Sequence, residues 1–214
     1  GDKTGDISIF DEVKKYLKEK YKKPGNAFLG LLHRLDRPAS GIILFAKTSK
    51  GASKLSEQFR NREVGKIYKA IVVGKPDKNE GMLINVLKKN RRRASTESAG
   101  GKEVVLHYEV IKSNNNHSLL KINIEGGKFH QIRAQLSSEG FPILGDVKYL
   151  PAARLPAKQG RQVGVEWKYP KSIALCATEL VFKAATLRLG SGQAEDKMIK
   201  VSAEIPEEWK EYIE

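Results

Sequence analysis

The chain has 214 residues, of which 39 are Lys or Arg and 25 are Asp or Glu, so its formal net charge is +14. This length supports one substantial hydrophobic core, and a charge of this size favours a polyanionic partner such as RNA, DNA or an anionic membrane surface. No apolar run reaches membrane-spanning length, no signal peptide opens the chain and the single Cys176 excludes an internal disulfide. We therefore expect a cytoplasmic protein in a reducing compartment.

The first predicted element is a helix that begins after Ser8 and ends before Pro24-Gly25. Ser8 is a capping residue with Asp11 three positions on, and apolar residues then recur on one face. Lysines occupy the opposite face. A solvated surface is the more common explanation of such a charge run, and an RNA contact is the alternative.

A charged turn, His33–Gly41, follows this helix and leads into the apolar run Ile42–Ala46, which predicts a buried strand. Within the turn, Asp36 has Arg34 and Arg37 as near neighbours. An aspartate flanked by arginines stays ionised, and the arginines can also hold phosphate. In loops, however, such neighbours are more often a surface ion pair that contributes little to stability. The residues alone leave both explanations open.

The chain then alternates between helix and strand signals. A second helix is predicted with Ser49 as its cap, and the β-branched residues of Gly65–Gly74 predict a strand. Further strands are predicted at Val104–Ile111 and Ser118–Ile124, which form a hairpin around an Asn-rich turn, and at 173–183 and 198–205. This pattern predicts an α+β fold with a mixed, mostly antiparallel β-sheet and flanking helices.

Two segments are predicted to be surface loops. Lys88–Lys102 contains Arg91, Arg92 and Arg93 followed by small residues, so we expect a mobile loop that contacts RNA, with a solvated tip as the alternative. Pro151–Val165 holds basic residues among Pro, Ala and Gly, which is typical of a surface excursion.

A second charged constellation spans Gly126–Leu136, where a glycine pair precedes a predicted helix from about residue 129 to 138. Helical spacing places apolar residues, Phe129 among them, on a buried face, and His130 and Arg133 on an adjoining face. Glycines let the backbone approach a ligand closely, and free N–H groups at a helix start attract phosphate. A purely structural helix start is nevertheless the more common explanation of such a pattern.

Three stretches of the chain form a set of motifs: HRLDRPASGIILFAKT from His33, the KxYxA strand around Tyr68, and GKFHQIRAQL with GFPILGDVKY between Gly127 and Tyr149. In sequence and in order, they resemble motifs of the RluA-type RNA pseudouridine synthases. The resemblance covers residues from about 30 to 149. It implies the pseudouridine synthase fold and an isomerase that converts uridines of structured ribosomal or transfer RNA to pseudouridine. It also implies that no cofactor is required.

The same resemblance implies roles for single residues. Asp36 would be the catalytic carboxylate, Arg133 its charge partner and Tyr68 the aromatic residue that stacks on the target uracil. Arg34 would fill the space left when the uridine swings out of the RNA stack, and His33 would order the loop. The residues that we expect to contact RNA are Arg34, His33, Arg37, Lys66, Arg91, Arg92, Arg93, Lys128 and His130.

We expect one catalytic domain over residues 1–214, acting as a monomer away from membranes and without a separate RNA-binding domain. The sequence starts at Gly1 and does not contain the upstream strand typical of the family, so we expect a trimmed start, a processed start or residues left by a tag. A non-catalytic RNA-binding module, or an inactive fragment of such an enzyme, is the alternative. The intact set of Asp36, Tyr68 and Arg133 favours the enzyme. No Cys/His cluster has metal-ligand spacing, so no metal site is expected.

Overall fold

The computed structural model describes residues 6–22, 25–90, 93–97, 100–150, 167–184 and 197–214. Contacts within the chain divide it into two compact units. The first comprises Gly1–Arg34, Ile43–Glu63 and Lys183–Lys197, and the second comprises Leu35–Ile42, Val64–Phe182 and Met198–Glu214. None of the described helices is long and apolar enough to span a membrane.

Four helices and ten strands are described, together with a short 3₁₀ helix at Glu207–Trp209. The helices are α1 Ile9–Lys20, α2 Ser49–Arg60, α3 Gln131–Ser138 and α4 Lys210–Ile213. The strands are β1 Gly30–Leu31, β2 Ser40–Gly41, β3 Phe45–Ala46, β4 Gly65–Val73, β5 Glu80–Asn90, β6 Arg93–Glu97, β7 Lys102–Ser113, β8 His117–Glu125, β9 Leu175–Lys183 and β10 Met198–Ser202.

The first unit contains α1, α2 and the short antiparallel pair β1–β3. Ser8 caps α1 as the sequence predicts, since its hydroxyl accepts the Asp11 N–H at 3.2 Å. The cap of α2 is Thr48 instead of Ser49, because the Thr48 hydroxyl accepts the Gly51 N–H at 3.1 Å. The strand predicted at 42–46 is also shorter than expected: only its last two residues form β3.

An eight-stranded sheet dominates the second unit, in the order β10-β9-β4-β8-β7-β5-β6, with β2 added beside β9. The pairs from β9 to β6 are antiparallel, and β2 pairs with β9 in parallel. The predicted hairpin is β7–β8, and the predicted strand at 65–74 is β4. A mixed, mostly antiparallel sheet with helices confirms the α+β prediction.

The mobile loop predicted at Lys88–Lys102 is wrong for the residues that the structure describes there. The end of β5 pairs with β6 from Val86 opposite Glu97 to Asn90 opposite Arg93. The hairpin is held from outside its own sequence: Leu87 and Ala94 are buried against Val104, Ala134 and Tyr149. Local composition favours a loop because these partners lie elsewhere in the chain. Residues 91–92 and the predicted excursion at 151–165 lie outside the described residues.

Helix α3 packs on β5, β6 and β7, with its residues from Gln131 to Leu136 all buried. It begins after His130, whose backbone is left-handed with φ 53°, so it starts two residues later than predicted. Phe129 therefore lies outside the helix and is 38% exposed, not buried as predicted. Buried residues of β4, β8, β9, α3 and the C-terminal helices form the main core. The first turn of α3 is thereby held in place by its packing on the sheet.

Candidate active site

The turn that carries Asp36 is held by backbone contacts within the second unit. The Ala39 N–H donates to the Asp36 carbonyl at 2.9 Å, and β2 then runs alongside β9. Gly41 has φ +109°, and a Cβ placed there would lie 2.3 Å from the Ala177 carbonyl oxygen. Only glycine fits such an approach without strain. Gly41 thus lets the charged turn pack closely against β9.

The Arg133 guanidinium joins two carboxylates, Asp146 and Asp36. Its Nε and Nη2 donate to the two oxygens of Asp146 at 2.7 and 2.8 Å, and its Nη1 donates to Asp36 Oδ2 at 3.2 Å. The Arg133 and Asp146 side chains are 4% and 1% exposed, whereas Asp36 is 24% exposed. Burial alone would lower the pKa of Arg133, but the two carboxylates raise it. The guanidinium is therefore a fixed positive charge that faces a solvent-accessible carboxylate.

Tyr68 lies on β4 where the ladder to β9 shifts register between Ile67 and Tyr68. Such irregularities redirect side chains and are frequent next to active sites. Burial raises the pKa of Tyr68 to about 12, and the negative charge of Asp36 acts in the same direction. The phenol is thus neutral at physiological pH and close enough to Asp36 to feel its charge. The structure brings Asp36, Tyr68 and Arg133 together.

His130 is a fourth member of this group. Its Nε2 lies 3.9 Å from Asp36 Oδ2, and its Nδ1 lies 2.8 Å from the Tyr149 hydroxyl. Burial lowers the pKa of His130 to about 4; Asp36 and Asp146 oppose this effect, whereas Arg133 and Lys148 add to it. The imidazole is therefore neutral at pH 7.

Tyr149 connects this group to the β5–β6 hairpin. Its hydroxyl accepts the Ala94 N–H at 2.7 Å, which leaves the phenolic hydrogen available for His130 Nδ1. The guanidinium carbons of Arg133 and Arg93 lie over the Tyr149 ring at 5.0 and 5.2 Å from its centroid. These distances are typical of cation–π contacts. Arg93, predicted as an RNA contact, is thus exposed at the edge of the site.

Asp146, Lys148 and Tyr149 are three further residues near Asp36 for which the sequence predicts no role. All three belong to the GFPILGDVKY stretch, which lies in the loop after α3. The signal that could have found Asp146 is a lone acid in an apolar stretch downstream of a buried arginine. Lys148 is half-buried, and its pKa is lowered by burial and by the nearby charge of Arg133.

Three predicted RNA contacts come from the charged turn. In the first unit, the His33 ring stacks on Phe59, and its Nε2 accepts the Leu44 N–H at 2.9 Å. This contact agrees with the predicted loop-ordering role. Arg34, also in the first unit, and Arg37, in the second, are exposed. Their assignment to RNA stays a prediction.

The remaining predicted contacts differ in exposure. Lys66 is buried, and its ammonium donates to the Gly126 carbonyl, a placement that favours a structural role over an RNA contact. Lys128 is exposed beside the glycine pair. Arg91 and Arg92 lie outside the described residues. Within the described part of the chain, no three His, Cys, Asp or Glu side chains converge on a metal site.

Comparison with known proteins gives a family and a fold. The family model for RNA pseudouridylate synthase matches residues 4–138. Ribosomal large subunit pseudouridine synthase C of Rickettsia prowazekii is 38% identical over 135 residues, which are 61% of this chain and 45% of the relative. Ribosomal large subunit pseudouridine synthase D of Zymomonas mobilis is 35% identical over 128 residues, which are 58% of this chain and 40% of that relative. The chain thus spans less than half the length of these curated relatives.

Two solved human structures share the fold. RNA Pseudouridylate Synthase Domain Containing 4 superposes with a TM-score of 0.74 at 23% identity, covering 96% of this chain and 82% of that one. RNA Pseudouridylate Synthase Domain Containing 1 gives a TM-score of 0.68 at 20% identity, covering 94% and 77%. At these identities the likeness establishes the architecture alone.

Proposed function

The chain belongs to the RNA pseudouridylate synthase family, and from that membership we propose that it converts uridine to pseudouridine in structured RNA. The observation that carries the proposal is the partly exposed Asp36 carboxylate, held at 3.2 Å by a buried guanidinium beside a neutral tyrosine. Ribosomal RNA is the first candidate, since several relatives are named ribosomal large subunit synthases. Transfer RNA is the second.

The reaction explains why a carboxylate and no cofactor is proposed. The N1–C1′ bond of uridine breaks, the uracil turns within the pocket, and a new bond forms from C5 to C1′ before the C5 proton leaves. No electrons and no phosphoryl group are transferred. Asp36 acts either as a nucleophile at C1′ or as a base at C2′, and both roles need its ionised form.

The neighbours of Asp36 have separate tasks in this scheme. Arg133 favours the ionised carboxylate and, because Asp146 fixes it on the other side, also sets the direction of Asp36. The Tyr68 ring offers the detached uracil an apolar platform that keeps it from escaping. Because the Tyr68 phenol stays protonated up to about pH 12, it acts at neutral pH as a stacking surface or hydrogen-bond donor.

Access to the uridine requires that it leave the RNA stack, which costs a few kcal/mol. We assign compensation of this cost to Arg34, which is exposed and two residues before Asp36. Arg93 and Lys128 supply exposed positive charge for the phosphates. Binding should therefore weaken steeply as the salt concentration rises.

The test compares wild type with Asp36→Asn on transcripts of large-subunit ribosomal RNA and of transfer RNA. Pseudouridines are mapped by carbodiimide modification and primer extension. Loss of the reacting carboxylate should lower the rate by about 10³-fold or more. Asp77→Asn is the matched control, because Asp77 is an exposed carboxylate in the loop between β4 and β5. It should leave the rate unchanged.

Equal rates for wild type and Asp36→Asn would contradict the role of Asp36. If wild type binds both RNAs in a salt-dependent way but forms no pseudouridine in either, the alternative of a non-catalytic RNA-binding module gains support. Binding is measured by the anisotropy of labelled transcripts, which separates affinity from turnover.

A further inference from the structure

The charged side chains that interact with Lys148 do not balance. Together with Lys148, this group contains three cations, Arg93, Arg133 and Lys148, and two anions, Asp36 and Asp146. His130 is neutral, so this group carries a net charge of about +1 at neutral pH. The Arg133 guanidinium is engaged by both carboxylates. The excess positive charge therefore lies with Arg93 and Lys148.

No salt bridge joins either of these two cations to an acidic side chain among the residues that the structure describes, although Asp146 and Asp36 lie near enough to raise the pKa of Lys148. The Arg93 guanidinium lies over the Tyr149 ring, 5.2 Å from its centroid, on the ring that Arg133 also contacts. Lys148 directly precedes this tyrosine and is half-buried. An excess of positive charge of this kind is unfavourable unless an anion from outside offsets it.

The charged groups of this cluster lie close to one another. Arg93 and Arg133 both lie close enough to Lys148 to lower its pKa, in addition to the effect of burial, whereas Asp36 and Asp146 raise it. Contacts of the same segment agree with this placement: the Lys148 N–H donates to Asp146 Oδ1 at 3.2 Å, and the hydroxyl of the next residue, Tyr149, accepts the Ala94 N–H of the β5–β6 hairpin at 2.7 Å. Because Arg93 is exposed and Lys148 half-exposed, both can reach a ligand that arrives from solvent.

We propose that Arg93 and Lys148 form a binding site for one phosphodiester group of the RNA, next to the nucleotide that Asp36 attacks. This inference rests on the proposed function, since it takes RNA as the ligand. A phosphodiester carries one negative charge, which matches the excess of the group. A guanidinium contributes a planar pair of donors and an ammonium a compact charge, and both chemistries suit phosphate oxygens.

The site has a mechanical consequence for the substrate. Arg93 belongs to β6, and Lys148 belongs to the loop that supplies Asp146. A phosphate held by both would fix the RNA backbone beside Asp36 while the uracil is detached from its sugar. Free inorganic phosphate offers the same oxygens, and the experiment must separate the two sources.

The test measures binding of the dinucleotide uridylyl-3′,5′-uridine and of its methylphosphonate analogue, in which the single linkage is uncharged. Both are titrated at low salt into wild type, Lys148→Gln and Arg93→Gln, with binding followed by NMR. Each variant should bind the charged dinucleotide about 5- to 10-fold more weakly, and the uncharged analogue as well as wild type does. On labelled oligouridylate, Lys148→Gln should reduce the slope of log affinity against log salt by about 1.

Lys78→Gln is the matched control. Lys78 is exposed and precedes β5, and about 11 residues of the chain separate it from Asn90, the residue that pairs with Arg93. This variant should bind both dinucleotides as wild type does. Arg93→Lys retains the charge and should recover part of the affinity, which excludes a loss caused by misfolding.

Three results would overturn the inference: no binding of the charged dinucleotide to wild type, equal losses for the charged and uncharged dinucleotides, or inorganic phosphate binding as tightly as the dinucleotide. The proposed function fails separately, when wild type forms no pseudouridine in the transcripts. Charge-dependent binding through Arg93 and Lys148 by a protein without that activity would leave the phosphate site standing.

Discussion

The two carboxylates that contact Arg133 have opposite environments. Asp146 is 1% exposed and receives two hydrogen bonds from the guanidinium, at 2.7 and 2.8 Å. Asp36 is 24% exposed and receives one, at 3.2 Å. A buried charge whose partner is removed is strongly destabilising, whereas a partly hydrated carboxylate can change partners at little cost. Asp146 is thus suited to structure and Asp36 to chemistry.

This difference also orients the Arg133 guanidinium. Without Asp146, the Arg133 guanidinium could rotate towards Asp36 or away from it. With Nε and Nη2 engaged, only Nη1 is directed at Asp36. Stability and catalysis should therefore separate between the two acids when each is changed alone.

Asp146→Asn should have the largest effect on stability. It leaves the buried Arg133 charge with one weaker partner, so the free energy of unfolding should fall by about 3–5 kcal/mol. Asp36→Asn should change it by less than about 1 kcal/mol, since that carboxylate is partly hydrated. Urea unfolding followed by tryptophan fluorescence measures both, because Trp167 and Trp209 lie in the second unit. Equal losses in the two variants would contradict the division of roles.

Gly41→Ala tests whether backbone contacts hold the Asp36 loop. The new Cβ would lie 2.3 Å from the Ala177 carbonyl oxygen at φ +109°, so the loop must move away from β9. We expect a loss of about 2–4 kcal/mol in the free energy of unfolding and a reduced rate of isomerisation. Gly25→Ala is the control, because no atom lies within 4 Å of the Cβ position and no positive φ is involved. If both alanine variants match wild type, the glycine has no such role.

Much of this arrangement could be predicted from sequence. The hairpin β7–β8, strand β4 and the α+β class follow from alternation and turn residues, which are local signals. The resemblance pointed to Asp36, Tyr68 and Arg133, which the structure brings together. In each case the residues that carry the pattern lie within one short segment.

The predictions were wrong where contacts between residues distant in sequence determine the local structure. The composition of the β5–β6 hairpin predicts a loop because its small and basic residues form strands only when they pair with each other and when Leu87 and Ala94 pack against Val104, Ala134 and Tyr149. Phe129 was expected in the core, but the left-handed His130 delays the helix start and leaves the ring exposed. Asp146 went unassigned because its partner, Arg133, is 13 residues away, and no local rule pairs them.

His130 should make the stability of the protein depend on pH, because its side chain is buried, whereas Asp36 beside it is partly hydrated. Its pKa is about 4 in the folded protein and about 6.5 when unfolded, so the unfolded chain binds more protons between these values. Stability from this group is complete above about pH 6.5 and lost as pH falls to about 4, by about 2–3 kcal/mol. Asp36 and Asp146 oppose the shift, and Arg133 and Lys148 reinforce it.

His130→Gln isolates this contribution, because burial also lowers the pKa of His117, which changes stability in the same direction as the pH falls. Unfolding free energies of wild type and variant are measured by urea titration from pH 7 to pH 4. The wild type should lose about 2–3 kcal/mol more than the variant over this range. Parallel curves would show that His130 is protonated equally in both states.

Tyr149→Phe should give the smallest effect and tests the link between the hairpin and the Arg133 side of the site. The ring and its contacts with the two guanidiniums remain, but the hydroxyl that accepts the Ala94 N–H at 2.7 Å is lost. A buried donor without a partner costs about 1–2 kcal/mol. The same change removes the partner of His130 Nδ1, which fixes the imidazole tautomer facing Asp36. ¹⁵N NMR of the imidazole should therefore show one tautomer in wild type and a mixture in the variant. An unchanged tautomer alongside reduced stability would restrict Tyr149 to holding the hairpin.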